Sequence, residues 1–208
     1  MTSPDYPRAL KGIRCRAWVT LRAGSAVLAE SQGEIQFTET GVSGPAAFDV
    51  SRDASVGGSG LDLHLCFFDL SERELVGELA RRQAFLPQLP VSEIFTGMLH
   101  NRLGRMVVRY SGLTADRTLS ALSEHQLAVL ARAALDFILP VHGTEDFDHA
   151  QVTAGGVMTA HFDPETLESR IVPGLFVCGE LLDVDGDCGG YNLQWAWSSG
   201  RLAGRLGS

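Results

Sequence analysis

From Ile13 the chain alternates: Ile13, Cys15, Ala17, Val19 and Leu21 fall on one side, and Arg14, Arg16, Trp18 and Thr20 on the other. A period of two marks a half-buried strand. Ala23-Gly24-Ser25 reads as a turn, Ala26 to Glu30 as a second strand and Gly33 to Thr38 as a third, which together suggest an antiparallel meander. The stretch Thr40 to Pro45 reads as a loop that opens a short helix over Ala46 to Val50, with Ser43 as N-cap and Pro45 in the first turn. Beyond the glycine-rich stretch at 57–60, Leu61, Leu63, Leu65 and Phe67 alternate with their neighbours as a fourth strand. Residues 13–70 therefore read as a small antiparallel β-domain, a barrel or a sandwich.

At residue 71 the period changes from strand-like to helical. Ser71-Glu-Arg-Glu74 is a capping box opening a helix to about Ala84, which Pro87 and Pro90 end. Ser92 reads as the cap of a second helix carrying Ile94, Phe95, Met98, Leu99 and Leu103. A second capping box, Ser123-Glu-His-Gln126, precedes a stripe of Leu127, Leu130, Ala131, Ala134, Leu135 and Ile138. Residues 71–137 thus form an inserted helical subdomain, after which Ile138 to Val141 returns to the β-domain. From Thr144 the composition turns glycine-rich and the elements look α/β. A division near 144–150 gives two domains, 1–143 and 144–208.

The second of these is built on one stretch. Leu175 to Cys178 is a continuous apolar run behind a Pro-Gly turn, as in a buried parallel strand. Gly179 and Glu180 end it. Gly189 and Gly190 permit close approach of the backbone, and a helix from about Asn192 aims its N–H groups at the same place. Strand, glycine loop and helix in this order suit an electron-rich or anionic ligand at the strand's carboxyl end.

Composition narrows the classes. A net charge of −8 and a pI near 5.2 argue against nucleic acid or an anionic membrane surface as partner. No apolar stretch approaches the ~20 residues that span a bilayer, and the start of the chain has no signal-peptide pattern, so a cytoplasmic location is expected. The four cysteines, at 15, 66, 178 and 188, form no C-x-x-C pair and no zinc spacing. Cys178 reads as a small hydrophobe in its strand, not as the disulfide partner of Cys188. Asp183-Val-Asp-Gly186 lacks the register and the later glutamate of a calcium loop, so no metal site is expected.

Three runs carry a family resemblance: Gln151-Val-Thr-Ala-Gly-Gly-Val157, Glu168-Ser-Arg-Ile-Val-Pro-Gly-Leu-Phe-Val-Cys-Gly-Glu180, and Asp183-Val-Asp-Gly-x-x-Gly-Gly-Tyr-Asn-Leu-Gln194. In this order they resemble the closing segment of the aminoacetone-oxidase-like, or BaiN-like, family of FAD-dependent oxidoreductases. A weaker likeness runs upstream through Phe37 to Pro45. The resemblance implies FAD as cofactor of the complete protein, held poorly or not at all by this chain alone, a small organic substrate, and NAD(P)H or oxygen as the other redox partner. It also implies that residues 1–143 are the substrate or cap module. Where the family often carries a histidine this sequence has Glu39, so no imidazole serves the substrate there.

The G-x-G-x-x-G turn with which such flavoproteins hold the ADP half of FAD does not occur in this sequence. The nearest run, Gly57-Gly-Ser-Gly60, leads into a strand. The expected architecture is therefore mixed α+β and α/β. It comprises a small antiparallel β-domain with an inserted helical subdomain, then the strand–loop–helix part of an incomplete Rossmann-like FAD domain. Such a chain reads as a fragment of an oxidoreductase that is inactive alone, or as a non-catalytic binding module or half of a split flavoprotein. An orphaned sheet edge would favour a homodimer that covers it.

The resemblance assigns cofactor-binding residues. Glu180 would accept hydrogen bonds from ribityl hydroxyls, with Gly179 leaving room for the ligand; a lone loop glutamate is otherwise simply solvated. Gly189, Gly190, Tyr191, Asn192, Leu193 and Gln194 would face the pyrimidine side of the flavin, the alternative being an ordinary glycine loop capped by Asn192. Thr153, Ala154, Gly155 and Gly156 would lie at the re-entry into the flavin domain, the alternative being a β-turn. No residue is assigned as catalytic acid or base; His142 and His149 flank the domain junction and read as surface residues.

Overall fold

The structure, a computed structural model, describes residues 6–205. Their contacts divide them into two compact units, one running to Thr144 and one starting at Glu145.

The first unit opens with a single helical turn, α1 (Pro7–Leu10), and a hairpin of β1 (Arg14–Ala23) and β2 (Ala26–Phe37). The expected second and third strands are one continuous strand. Ser31-Gln-Gly33, which looks like a break, is adapted to the helix above it. The Ser31 hydroxyl donates to Asp49 at 2.7 Å. A side chain on Gly33 would come within 3.4 Å of the Ala46 methyl. Small residues there let the helix sit on the strand.

A two-residue strand, β3 (Val42–Ser43), leads into that helix, α2 (Pro45–Val56). Ser43 is part of β3, and the N-cap is Gly44 at φ 101°. A Cβ on Gly44 would stand 2.8 Å from the Glu34 carbonyl oxygen, so the crossing onto β2 excludes any larger residue. The helix is also longer than the short one expected. It buries Ala46, Ala47, Val50 and Ala54, a spacing of successive turns.

β4 (Leu61–Cys66) follows, with Leu61, Leu63 and Leu65 buried, and then α3 (Glu72–Phe85). Both halves of the Ser71–Glu74 capping box are present. The helix expected from Ser92 is only a turn of 3-10 helix at Val91–Glu93. Gly97 at φ 82° breaks the right-handed path, and α4 (Asn101–Tyr110) starts behind His100. Gly104 in α4 lies against Phe95, where a Cβ would stand 2.9 Å from the Phe95 Cβ.

α5 (Glu124–Leu135) carries the second complete capping box, from Ser123 and Gln126. β5 (Phe137–Val141) then returns to pair with β4. The five strands form one sheet in the order β3-β2-β1-β4-β5, and every pairing between them is antiparallel. This is one sheet where a barrel or sandwich was expected, because helices take the layer that a second sheet would fill. A single buried cluster runs from Leu10 through the strands and α3, α4 and α5 to Val141. The helices after β4 therefore share the sheet's core. Phe137 ties the two layers: its ring lies 4.4 Å from that of Tyr110, whose hydroxyl accepts the Ile138 N–H at 3.1 Å.

The second unit has one long helix, α6 (Tyr191–Ala203), and otherwise short turns and isolated bridges. Its core is small: Phe162, Leu167, Val177, Leu182 and Ala203. The expected buried parallel strand at Leu175–Cys178 is not formed. Phe176 makes an antiparallel bridge with Glu168, Leu175 is 44 % exposed, and Cys178 is exposed where a packed thiol was expected. A buried parallel strand needs neighbours on both edges, and the described residues of this unit contain no strand to supply them.

Candidate functional site

The sequence-predicted residues lie in the second unit, where three sets of contacts hold most of them, two of the sets made by α6. The first is a short parallel pairing. Val157 N–H donates to Leu181 C=O at 2.8 Å, and Asp183 N–H donates to Val157 C=O at 3.0 Å. It brings the Gly155-Gly156 run beside the loop that follows Glu180. Gly156, at φ 152°, is the point of closest approach: a Cβ there would meet Asp183 N, Leu181 O and Leu182 C, all at 2.8 Å. Gly155 instead has nothing within 4 Å of where its Cβ would be. One glycine serves the backbone pairing and the other leaves an open flank. Thr153 and Ala154 are exposed and precede the pairing.

The second set fixes Gly186. The Asn192 side chain accepts the Gly186 N–H at 2.8 Å and donates to the Gly186 carbonyl at 3.0 Å. Asn192 is thus one residue inside the helix, and the N-cap is Gly190, in left-handed conformation. The first intrahelical bond runs from Gln194 N–H to Gly190 C=O. The N–H groups ahead of it open at the helix start, with the positive end of the helix dipole behind them. Tyr191 and Leu193 are 65 % and 60 % exposed. Gln194 turns along the helix to donate to the Ser198 hydroxyl at 2.8 Å.

The third set was not read from the sequence. Gly179 N–H donates to the Ser199 hydroxyl at 2.9 Å, and the Trp195 indole N–H donates to Gly179 C=O at 3.1 Å. Ser199 is 1 % exposed. Asn192, Trp195 and Ser199 share one face of α6, at a spacing of three and four. That spacing of three hydrogen-bonding side chains is the signal that marks them. Glu180 follows Gly179 directly. It is exposed and makes no ion pair with another described residue.

These features fit the closing side of a planar, polar cofactor. The loop carries an open glycine flank at Gly155, a carboxylate acceptor at Glu180 and a helix start behind Gly190. Of the two histidines near the junction, His149 bonds to Asp146 at 2.5 Å, and His142 is exposed. A shallow concavity of about 370 Å³ in the first unit, lined by Trp18, Cys66, Phe68 and Asp69 among others, contains none of the predicted residues. Glu39, also in the first unit, pairs with Lys11 at 2.7 Å.

A glycine-rich loop feeding a helix start is the ligand-side architecture of a dinucleotide-binding domain, and the sequence matches one such family over residues 21–206. The chain belongs to the HI0933-like protein Rossmann domain family. Among characterised proteins it is 40 % identical over 203 residues to a 3-dehydro-bile acid delta(4,6)-reductase of Clostridium scindens, covering 93 % of this chain and 48 % of the relative. It is 31 % identical to a ribosomal RNA dihydrouridine synthase of Haemophilus influenzae, over 92 % of this chain and 45 % of that protein. It is 32 % identical to the protein of the same name in Escherichia coli, over 92 % and 46 %. The chain spans about half the length of these relatives.

Proposed function

We propose that this chain forms the substrate-side and flavin-closing portion of an FAD-dependent oxidoreductase of the BaiN-like type. The observation that carries the reading is that the Gly155-Gly156 run pairs with the loop that follows Glu180, while Gly179 and Gly186 on either side of that loop are bonded to α6, which opens at Gly190. Family membership and the reductase among its relatives support it. A bound flavin supplies hydride transfer; the chain's residues supply position and electrostatics. Glu180 accepts hydrogen bonds from the ribityl hydroxyls. The first-turn N–H groups of α6 stabilise negative charge on the pyrimidine edge of the ring. Gly155 lets the backbone approach that ring. No G-x-G-x-x-G turn for the ADP half occurs in this sequence, so the residues named here are assigned to the ring and the ribityl chain alone.

The substrate class we propose is a small organic carbonyl compound with a carbon–carbon double bond, the kind of bond named in the reductase relative. The net charge of −8 and the higher identity to that relative favour it over RNA. NAD(P)H is the donor in this reading.

The test is a residue-resolved NMR titration of the chain with FMN, which carries the ring and ribityl chain without the ADP half. Shifts are expected at Gly155, Gly156, Glu180 and Gly189 to Gln194, and Glu180→Gln should weaken binding about tenfold. Shifts elsewhere only, or none, would overturn the reading and leave a non-catalytic interaction module.

A further inference from the structure

We infer that Trp195 and Ser199 are positioning residues that fix where Glu180 presents its carboxylate, an inference that rests on the flavin reading above. Gly179 is the hinge on which Glu180 is carried. It adopts φ 67°, a conformation open to glycine, and as glycine it has many others available. In the structure both of its polar groups are held by one helix. The N–H is taken by the Ser199 hydroxyl at 2.9 Å and the C=O by the Trp195 indole at 3.1 Å.

The clamp is itself fixed. The Ser199 hydroxyl donates to the Trp195 carbonyl at 2.6 Å, one helical turn back, so its lone pair is aimed at Gly179. Ser199 is the one polar residue among the buried ones described, and a buried hydroxyl is retained where both its donor and its acceptor roles are used. The indole of Trp195 packs on the unit's small core. A Cβ at Gly179 would stand 3.9 Å from the Ala196 methyl, so the hinge lies directly against α6. The helix that offers its N-terminus to the ligand thus also sets the carboxylate. The two ligand-facing features move as one body, which is the requirement for preorganised recognition.

Trp195→Phe keeps the aromatic packing and removes only the indole donor. In the full chain it should weaken FMN binding about tenfold. In a Glu180→Gln background the same substitution should have no further effect, because the residue acts through Glu180. Ser199→Ala should behave likewise. An unchanged FMN affinity in Trp195→Phe, or a loss that persists undiminished in the Glu180→Gln background, would overturn the inference. If Glu180→Gln alone leaves affinity unchanged, the flavin reading of Glu180 fails and the inference falls with it. Should the variants not fold, hydrogen exchange of the parent chain decides: the Gly179 amide should be strongly protected, and exchange at the rate of an open peptide would show that no clamp exists.

Discussion

Asn192 binds both the N–H and the carbonyl of Gly186, mimicking with one side-chain amide the pairing of a neighbouring strand. Asn192→Asp keeps an acceptor for the N–H but sets a carboxylate oxygen against the Gly186 carbonyl. The expected loss is about 1 kcal/mol in the stability of the second unit. It should show as faster hydrogen exchange at Gly186 with little change in the first unit. An unaltered exchange rate would mean that the bond does not hold the loop.

The two adjacent glycines of the Gly155-Gly156 run should respond unequally. Gly156→Ala drives a Cβ into three backbone atoms at 2.8 Å and should cost roughly 2–3 kcal/mol, separating Val157 from Leu182. Gly155→Ala meets no atom within 4 Å and should cost less, though its φ of 96° still carries strain. Thermal unfolding of the two variants gives the order; equal losses would contradict the geometry.

Thiol reactivity should divide the cysteines by unit. Burial, with a smaller contribution from Glu34, pushes the Cys15 thiol up to about 12, and burial also raises Cys66. Cys178 and Cys188 are exposed. Alkylation at neutral pH followed by mass spectrometry should label Cys178 and Cys188 first and Cys15 last. Because the folded thiol of Cys15 sits above its unfolded value, its contribution to stability is complete below about pH 9 and fades as pH rises towards 12.

The His149–Asp146 pair gives a local pH signal. The hydrogen bond that His149 donates to the Asp146 carboxylate, with the charges of Asp146 and Glu145, raises His149, and the same bond lowers Asp146. A raised imidazole stabilises the fold fully below its unfolded value, near 6.5, and loses that contribution as pH climbs through its folded value. Asp146 acts in the opposite sense, contributing above its unfolded value and losing it as pH falls. An NMR titration should place the His149 midpoint above that of a free histidine, and Asp146→Asn should lower it towards the free value, with the Glu145 charge still acting. A midpoint unmoved by the substitution would exclude the pairing.

Local signals were legible in the sequence, and signals that depend on distant partners were not. Ser71 with Glu74 and Ser123 with Gln126 make their bonds within one turn, so four residues suffice to read them. The alternation of β1 and β4 is equally self-contained. The strand reads as two, ending at Glu30 and resuming at Gly33, because the small residues Ser31 and Gly33 answer to α2, which lies well downstream. Ser92 and the apolar residues after it look helical because the spacing does not register the left-handed Gly97. Leu175 to Cys178 has the composition of a buried strand, but burial needs neighbours that the described residues lack. In the candidate site, glycine spacing pointed to the loops. Trp195 and Ser199 stayed hidden because their partner, Gly179, lies 16 and 20 positions away.

The placement of β5 has a consequence for how the chain folds as it is made. The hairpin of β1 and β2 and its extension by β4 use neighbouring sequence, so the inner sheet can assemble early. The last partner of β4 arrives only when Leu65 meets Phe137, after three helices have been synthesised. Until then the β4 edge stands open, with its amides and carbonyls unpaired, as a template for strands of other chains. Slow or stalled synthesis between these two positions should therefore favour aggregation through that edge, and a chaperone that shields it would act in this window.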